Sequence, residues 1–165
     1  MKKLFLFASI AIVALGATAQ PTHPSSPHDT LSVKNVKVTY GRPYKKGRPV
    51  FGSLVPYGKV WRCGADEATT ITFAKDGTFG GKAVKAGTYA LFVIPTETKW
   101  TIILNGNAKQ WGAFDYEKNK SKDVLQADVP VKKLGTAVEQ LSMSAPSSAL
   151  VIEWEKTQVA VPFSF

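Results

Sequence analysis

Short runs in which apolar and polar residues alternate are the main feature of the chain. In residues 35–40, Val36, Val38 and Tyr40 alternate with polar side chains, which predicts a β-strand with one buried face. Residues 88–94, TYALFVI, are almost entirely apolar and predict a central strand buried on both faces. No stretch after residue 19 sustains the 3.6-residue period of an amphipathic helix.

Further runs of similar length also predict strands. They cover residues 59–62, 69–73, 100–104, 124–131, 137–143, 150–154 and 158–165. The pairs Asp76-Gly77 and Gly80-Gly81 are typical of turns, because these residues tolerate positive φ angles. Short strands at this spacing predict an all-β fold, namely a single antiparallel β-sandwich or jelly-roll-like domain over residues 33–165.

The first 19 residues follow a different pattern. Lys2 and Lys3 precede an apolar run over residues 4–15, and the small residues Ala17-Thr18-Ala19 follow it. This order predicts a secretory signal peptide cleaved after Ala19, and hence export to the periplasm or the exterior. Residues 20–32 are rich in proline and serine and have no apolar period, so they predict a disordered linker.

The net positive charge of the predicted mature chain indicates which binding partners it favours. Without Lys2 and Lys3, the 21 basic residues fall to 19 against 12 acidic residues, a net charge of +7. In an exported protein this surplus favours anionic polymers, lipopolysaccharide or acidic ligands over nucleic acid, unless the lysines only keep a β-sheet surface soluble. The predicted mature chain has no transmembrane segment, and no sequence feature indicates an oligomeric state.

Cysteine and histidine are too scarce for several kinds of catalytic site. Cys63 is the only cysteine, so the chain can form no internal disulfide. Cys63 is either a thiolate activated by the neighbouring Arg62 or a small buried apolar residue. Both histidines, His23 and His28, fall in the predicted linker, which argues against Cys–His, Ser–His–Asp and histidine-ligated zinc chemistry. We therefore predict neither a metal site nor a cofactor.

Polar groups and turn residues are most concentrated between residues 40 and 73. The long loop predicted over residues 41–58 is typical of binding loops and lids, with residues 50–51 and 54–55 as anchors to the core. Arg42, Arg48 and Arg62 are candidates to converge on an anionic ligand, because guanidinium groups bind carboxylate, sulfate and phosphate in a bidentate manner. Alternatively, Asp66 and Glu67 pair with these arginines in a lattice that only fixes the loop.

Four aromatic or polar residues complete the candidate ligand-binding set. Tyr40, Trp61 and Thr69 belong to the stretch that carries the arginines. Trp111 lies in a predicted loop, where an indole either provides a platform for a sugar ring or fills the core.

Several motifs in and beyond this stretch occur together. They are YGRP, KGR, VFG, PYG, VWR, GADEAT, AGTYALFVIP and a late ALVIEWE. From about Ser32 to the C-terminus the chain resembles the domain of unknown function 2911 family, and the resemblance implies an exported bacterial β-domain without an established reaction. Threonine is common in that family where this chain has Cys63, and asparagine where it has Asp66, which argues against an essential thiol.

Three classes of function follow from these residues. The first is a non-catalytic domain that binds a carbohydrate or an anionic ligand. The second is a hydrolase without histidine that uses Asp66 or Glu67 as its carboxylate. The third is a purely structural protein of the cell envelope. A fully paired arginine–carboxylate lattice would favour the structural class, and an open concavity with unpaired arginines would favour binding.

Overall fold

The computed structural model describes residues 26–165, and its regular secondary structure is almost entirely β-strand. Within this range the chain forms one α-helix, α1 at Tyr116–Asn119, which is followed directly by a 3-10 turn at Lys120–Lys122. The strands are β1 His28–Val33, β2 Val36–Gly41, β3 Thr70–Phe73, β4 Gly77–Phe79, β5 Lys82–Val84, β6 Gly87–Pro95, β7 Lys99–Asn105, β8 Asp123–Ser147 and β9 Ala149–Ser164. The predicted all-β class is confirmed.

The nine strands of the described residues belong to one antiparallel sheet in the order β1-β2-β3-β6-β7-β8-β9-β4-β5. The long strand β8 connects its two halves, because β8 pairs with β7 up to Pro130 and with β9 from Val131 onward. Buried side chains of both halves, such as Leu91 on β6 and Ile152 on β9, belong to one hydrophobic core. The sheet therefore folds over itself into two packed layers, as the sandwich prediction required.

The central strand β6 is buried on both faces, as its apolar run predicted. Leu91 and Val93 point into the core between the two layers. Ala90 and Phe92 point the other way, into a second cluster with Tyr116 of α1. The second face of β6 is therefore covered by the segment that contains α1 and not by another sheet.

Four strands predicted near the C-terminus merge into β8 and β9. The positions that looked like connections are irregularities inside the strands, with register shifts between Lys133 and Val138 and a left-handed residue, Glu155, at φ 53°. A bulge takes up the extra residues while the flanking backbone stays paired, so the strand bends without ending.

Three other predictions need correction. Residues 59–62 form only a single bridge, in which Trp61 exchanges two backbone hydrogen bonds with Val93. Leu54 does not anchor the long loop, because its side chain is exposed. The predicted disordered linker was wrong for residues 28–32, since β1 begins at His28 and pairs with β2 along its whole length.

The signal-peptide prediction and the first part of the predicted linker, residues 20–25, lie outside the described residues. Within residues 26–165, no helix has both the length and the apolar character needed to cross a bilayer.

Candidate functional site

An open cleft of about 490 Å³ lies where the long loop, the segment after Trp61 and the segment before α1 meet. Its walls include Arg48, Trp61, Arg62, Phe114 and Trp154. Two of the three predicted arginines therefore share one concavity. We call this surface the arginine cleft.

Arg62 is the half-buried cation of the arginine cleft. Its Nε atom is buried without a hydrogen-bond partner among residues 26–165, and its guanidinium forms no ion pair within that part of the chain. Its backbone is fixed, because the carbonyl oxygen of Arg62 accepts a hydrogen bond from Thr69 N at 3.3 Å. A buried donor without a partner is costly, so this one indicates a site for an acceptor.

The chain bends sharply over residues 63–66, and this bend fixes the backbone that follows Arg62. Cys63 and Asp66 both adopt left-handed backbone conformations, at φ 53° and φ 63°. The indole Nε1 of Trp61 donates to Gly64 O at 3.1 Å, and Thr69 Oγ1 donates to Cys63 O at 2.9 Å. Such conformations persist only where the surrounding contacts determine them, as these hydrogen bonds do.

The last residue of β2, Gly41, packs closely against the turn at residues 63–66. A Cβ atom at Gly41 would lie 2.3 Å from Ala65 O, which is too close for any side chain. The glycine in the YGRP motif is therefore needed for the close approach of two backbones.

Arg48 reaches the cleft from the long loop of residues 41–58. Val50 and Val55 are buried and fix the loop to the core, which confirms two of the predicted anchors. The Nε of Arg48 donates to Lys45 O at 2.8 Å and one Nη donates to Tyr44 O at 2.9 Å. These bonds orient the guanidinium and leave its second Nη without a partner among the described residues.

Aromatic side chains form the apolar part of the cleft. Trp61 stacks on the buried Trp154, with ring centroids 5.8 Å apart and planes inclined by 23°. Phe114 stands at the rim with 77% of its surface exposed. Trp154 was not recognised as a site residue from the sequence, because the alternation of residues 150–154 identifies it only as a core residue.

Gly112 brings the Phe114 segment against Arg62. Its φ is +60°, and a Cβ atom there would lie 2.6 Å from Arg62 Nη1. An alanine would therefore displace the guanidinium, since the end of an arginine side chain moves more easily than backbone.

A buried polar network fixes the segment that carries Trp111 and Phe114. Asn105 Nδ2 donates to Asn119 O at 2.8 Å and to Asp123 Oδ1 at 2.7 Å. Tyr116 OH donates to Asp123 Oδ2 at 2.6 Å. Burial, followed by the contact with Asp123, raises the pKa of Tyr116 above its usual value of 10.0.

The raised pKa of Tyr116 predicts a loss of stability at alkaline pH. Above about pH 10 the tyrosine ionises in the unfolded chain but not in the native state, so the native state binds more protons and stability falls as pH rises. Tyr116→Phe should lower the free energy of unfolding by about 1 kcal/mol at neutral pH, because a hydrogen bond is lost. The deficit should shrink above pH 10.

Urea denaturation at about pH 8 and about pH 11 measures this difference. Tyr44→Phe is the control, because Tyr44 is exposed. An equal deficit for Tyr116→Phe at both pH values would contradict the prediction.

Three predicted site residues are engaged elsewhere. Arg42 pairs with Asp29 at 3.1 Å and donates to Leu141 O, so it does not join the other arginines. Tyr40 is buried, and its hydroxyl accepts a hydrogen bond from Met143 N at 2.9 Å. Thr69 is fully buried in the turn described above.

The predicted lattice between the arginines and the acidic pair does not form within residues 26–165. Asp66 Oδ2 accepts a hydrogen bond from Ser26 N at 2.9 Å and lies 3.2 Å from His28 Nε2. Glu67 lies 3.6 Å from the same histidine. The sequence placed His28 in a linker; the structure places it in β1 beside both carboxylates.

Burial decides between the two interpretations of Cys63. The side chain is completely buried, and burial raises the pKa of its thiol. Cys63 is therefore a small apolar residue of the core and not an activated thiolate. Among the described residues, no group of three or more histidine, cysteine or acidic side chains is arranged to hold a metal ion.

Comparison with protein families identifies the family of the chain. The family model described as "Protein of unknown function (DUF2911)" matches residues 23–163 and so includes both arginines of the cleft. Neither curated proteins nor solved structures match the chain significantly.

Proposed function

The chain belongs to the DUF2911 family of proteins of unknown function, and we propose that it is a non-catalytic domain that binds an anionic ligand in the arginine cleft. The observation that carries the proposal is the Nε of Arg62, a buried donor without a partner among residues 26–165 at the wall of an open cleft. A carboxylate, sulfate or phosphate group supplies the acceptors that this donor lacks.

The rest of the cleft supports the same class of ligand. Arg48 offers a second guanidinium that is already oriented by two backbone carbonyls, so little conformational entropy is lost on binding. The indole of Trp61 and the ring of Phe114 provide apolar contact for the part of the ligand that carries the anion.

The structural alternative has less support. It rested on arginines held by Asp66 and Glu67, and these carboxylates contact His28 instead. The hydrolase alternative retains one favourable observation, since His28 between two carboxylates could orient a water molecule. The Asp66 carboxylate, however, is already engaged by Ser26 N and by the His28 imidazole, which disfavours a role as the acid or base of a hydrolase. Binding without catalysis therefore remains the preferred function.

We also propose that the domain acts after export. The basic start, the apolar run and the small residues before Gln20 support this location, as does the resemblance of the motifs to an exported family. The net positive charge of the mature chain then favours encounter with anionic molecules.

A titration with simple anions tests the proposal. Sodium sulfate, phosphate and glucuronate are added to the protein, with sodium chloride at equal ionic strength and glucose as controls. At least one of the three anions should raise Tm by several degrees, because a ligand that binds only the native state stabilises it. Arg48→Gln should weaken that binding about tenfold. Equal Tm values in the anion and chloride series would refute the proposal.

A further inference from the structure

A second concave surface lies on the outer face of β2 and β3, apart from the arginine cleft. Two depressions of about 180 and 410 Å³ share Glu67, Ala68 and Thr70 and so form one continuous groove. His28 and Thr39 line one end, and Gln110 and Trp111 line the other. We call this surface the outer groove.

The outer groove contains a buried acceptor without a partner. Gln110 is only 6% exposed, and its Nε2 donates to Asn105 Oδ1 at 3.0 Å and to Asn107 O at 2.7 Å. Because both partners are oxygens, the orientation of the amide is fixed. Its Oε1 is left without a hydrogen-bond partner in the described part of the chain. A hydroxyl donor from a ligand would satisfy it.

Trp111 gives the outer groove an exposed aromatic surface. It is 58% exposed and directly follows the anchored Gln110, so its backbone is held in place. An exposed indole on an anchored backbone is suited to stacking on the apolar C–H face of a sugar ring.

The polar groups of the groove match hydroxyls better than an anion. Thr39 and Thr70 are cross-strand partners, and neither hydroxyl forms a hydrogen bond among residues 26–165. The Glu67 carboxylate accepts hydrogen bonds and repels anions, while Lys109 at the other end balances its charge. In the arginine cleft, in contrast, both charged side chains of the lining, Arg48 and Arg62, are cationic.

We propose that the outer groove binds an uncharged oligosaccharide, with one ring stacked on Trp111 and the hydroxyls of the sugar bonded to Gln110, Glu67 and the two threonines. The proposal does not depend on anion binding in the arginine cleft, because the two surfaces share no lining residue.

Calorimetric titration of the full domain with cellohexaose, xylohexaose, mannohexaose and hexa-N-acetylchitohexaose, all uncharged, tests the proposal. At least one of these sugars should bind at millimolar concentration or below. Trp111→Ala should then weaken that binding about tenfold or more. Val124→Ala is the matched control, because it removes an apolar side chain of similar exposure outside both surfaces and should leave the affinity unchanged.

Two further variants separate the outer groove from the arginine cleft. Thr70→Val removes a hydroxyl of the groove at nearly constant volume and should weaken sugar binding severalfold, while Arg62→Gln should not change it. Three results would overturn the proposal: no binding of any of the four sugars, full binding by Trp111→Ala, or loss of sugar binding in Arg62→Gln.

Discussion

Arg62→Gln should weaken the binding of the best anion by about 10- to 100-fold, which corresponds to the loss of charge-assisted hydrogen bonds worth about 1.5–3 kcal/mol. The same substitution should change the free energy of unfolding by less than about 1 kcal/mol. Arg62 pairs with no carboxylate among residues 26–165, so its removal leaves no partner buried and unpaired. Titration calorimetry and urea denaturation of the same variant measure both quantities.

Two glycines allow a test that keeps the charge of Arg62. Gly112→Ala should weaken anion binding because the new methyl group occupies the position of the guanidinium. Gly81→Ala is the matched control, since Gly81 also has a positive φ, at +76°, but has nothing within 4 Å of the added Cβ atom. Both alanines therefore carry similar backbone strain, about 1–2 kcal/mol, and only one displaces Arg62.

Other variants test the assignment of partners. Arg42→Gln should leave anion affinity unchanged, because Arg42 contacts Asp29 and Leu141 outside the cleft. The effects of Arg62→Ala and Glu67→Gln on stability should be additive, since Glu67 contacts His28 instead. A destabilisation of several kcal/mol by Arg62→Gln, together with coupling to Glu67, would restore the lattice hypothesis.

Gly41→Ala should produce the largest loss of stability among the glycine substitutions of the site, about 3 kcal/mol. The added methyl group would lie 2.3 Å from the carbonyl oxygen of Ala65, and neither partner is a flexible side chain that could move aside. Either β2 or the turn at residues 63–66 must shift. For a domain of this size the expected decrease in Tm is about 10 °C.

Gly135→Ala is the control for this substitution. A Cβ atom at Gly135 would meet nothing within 4 Å, and the residue has no positive φ. Its alanine variant should match or slightly exceed the stability of the parent protein, because alanine reduces the entropy of the unfolded chain. Equal Tm values for the two alanine variants would show that the backbones at Gly41 and Ala65 separate easily.

Strands β2 and β6 were predictable because their signal is local. In β2 each second side chain enters the core, and in β6 both faces are covered, so the composition of each segment reports its own burial. The same reasoning failed for β8 and β9. Their bulges contain polar and glycine residues that resemble loops, and only the pairing with a neighbouring strand shows that the backbone continues.

The candidate site was predictable only as a region. The density of arginines, glycines and aromatics in residues 40–73 indicated where it lies, and Trp111 was recognised as a loop aromatic. The sequence did not indicate that Trp154 and Phe114 complete the arginine cleft, because both residues are distant in the chain from Arg48 and Arg62.

Sequence alone determined the all-β class, the turn at Gly80-Gly81 and the residue types available for binding, because these depend on side-chain chemistry and on spacing within a few residues. The turn predicted at Asp76-Gly77 was wrong, since neither residue has a positive φ and Gly77 begins β4. Tertiary structure decided which charges meet. Asp66 lies four residues from Arg62 in the chain, yet it contacts His28, 38 residues away, and leaves the arginine to the cleft. Left-handed residues at positions 63 and 66 reverse the backbone between them, and such a reversal is stabilised by contacts with β2 that no local pattern encodes.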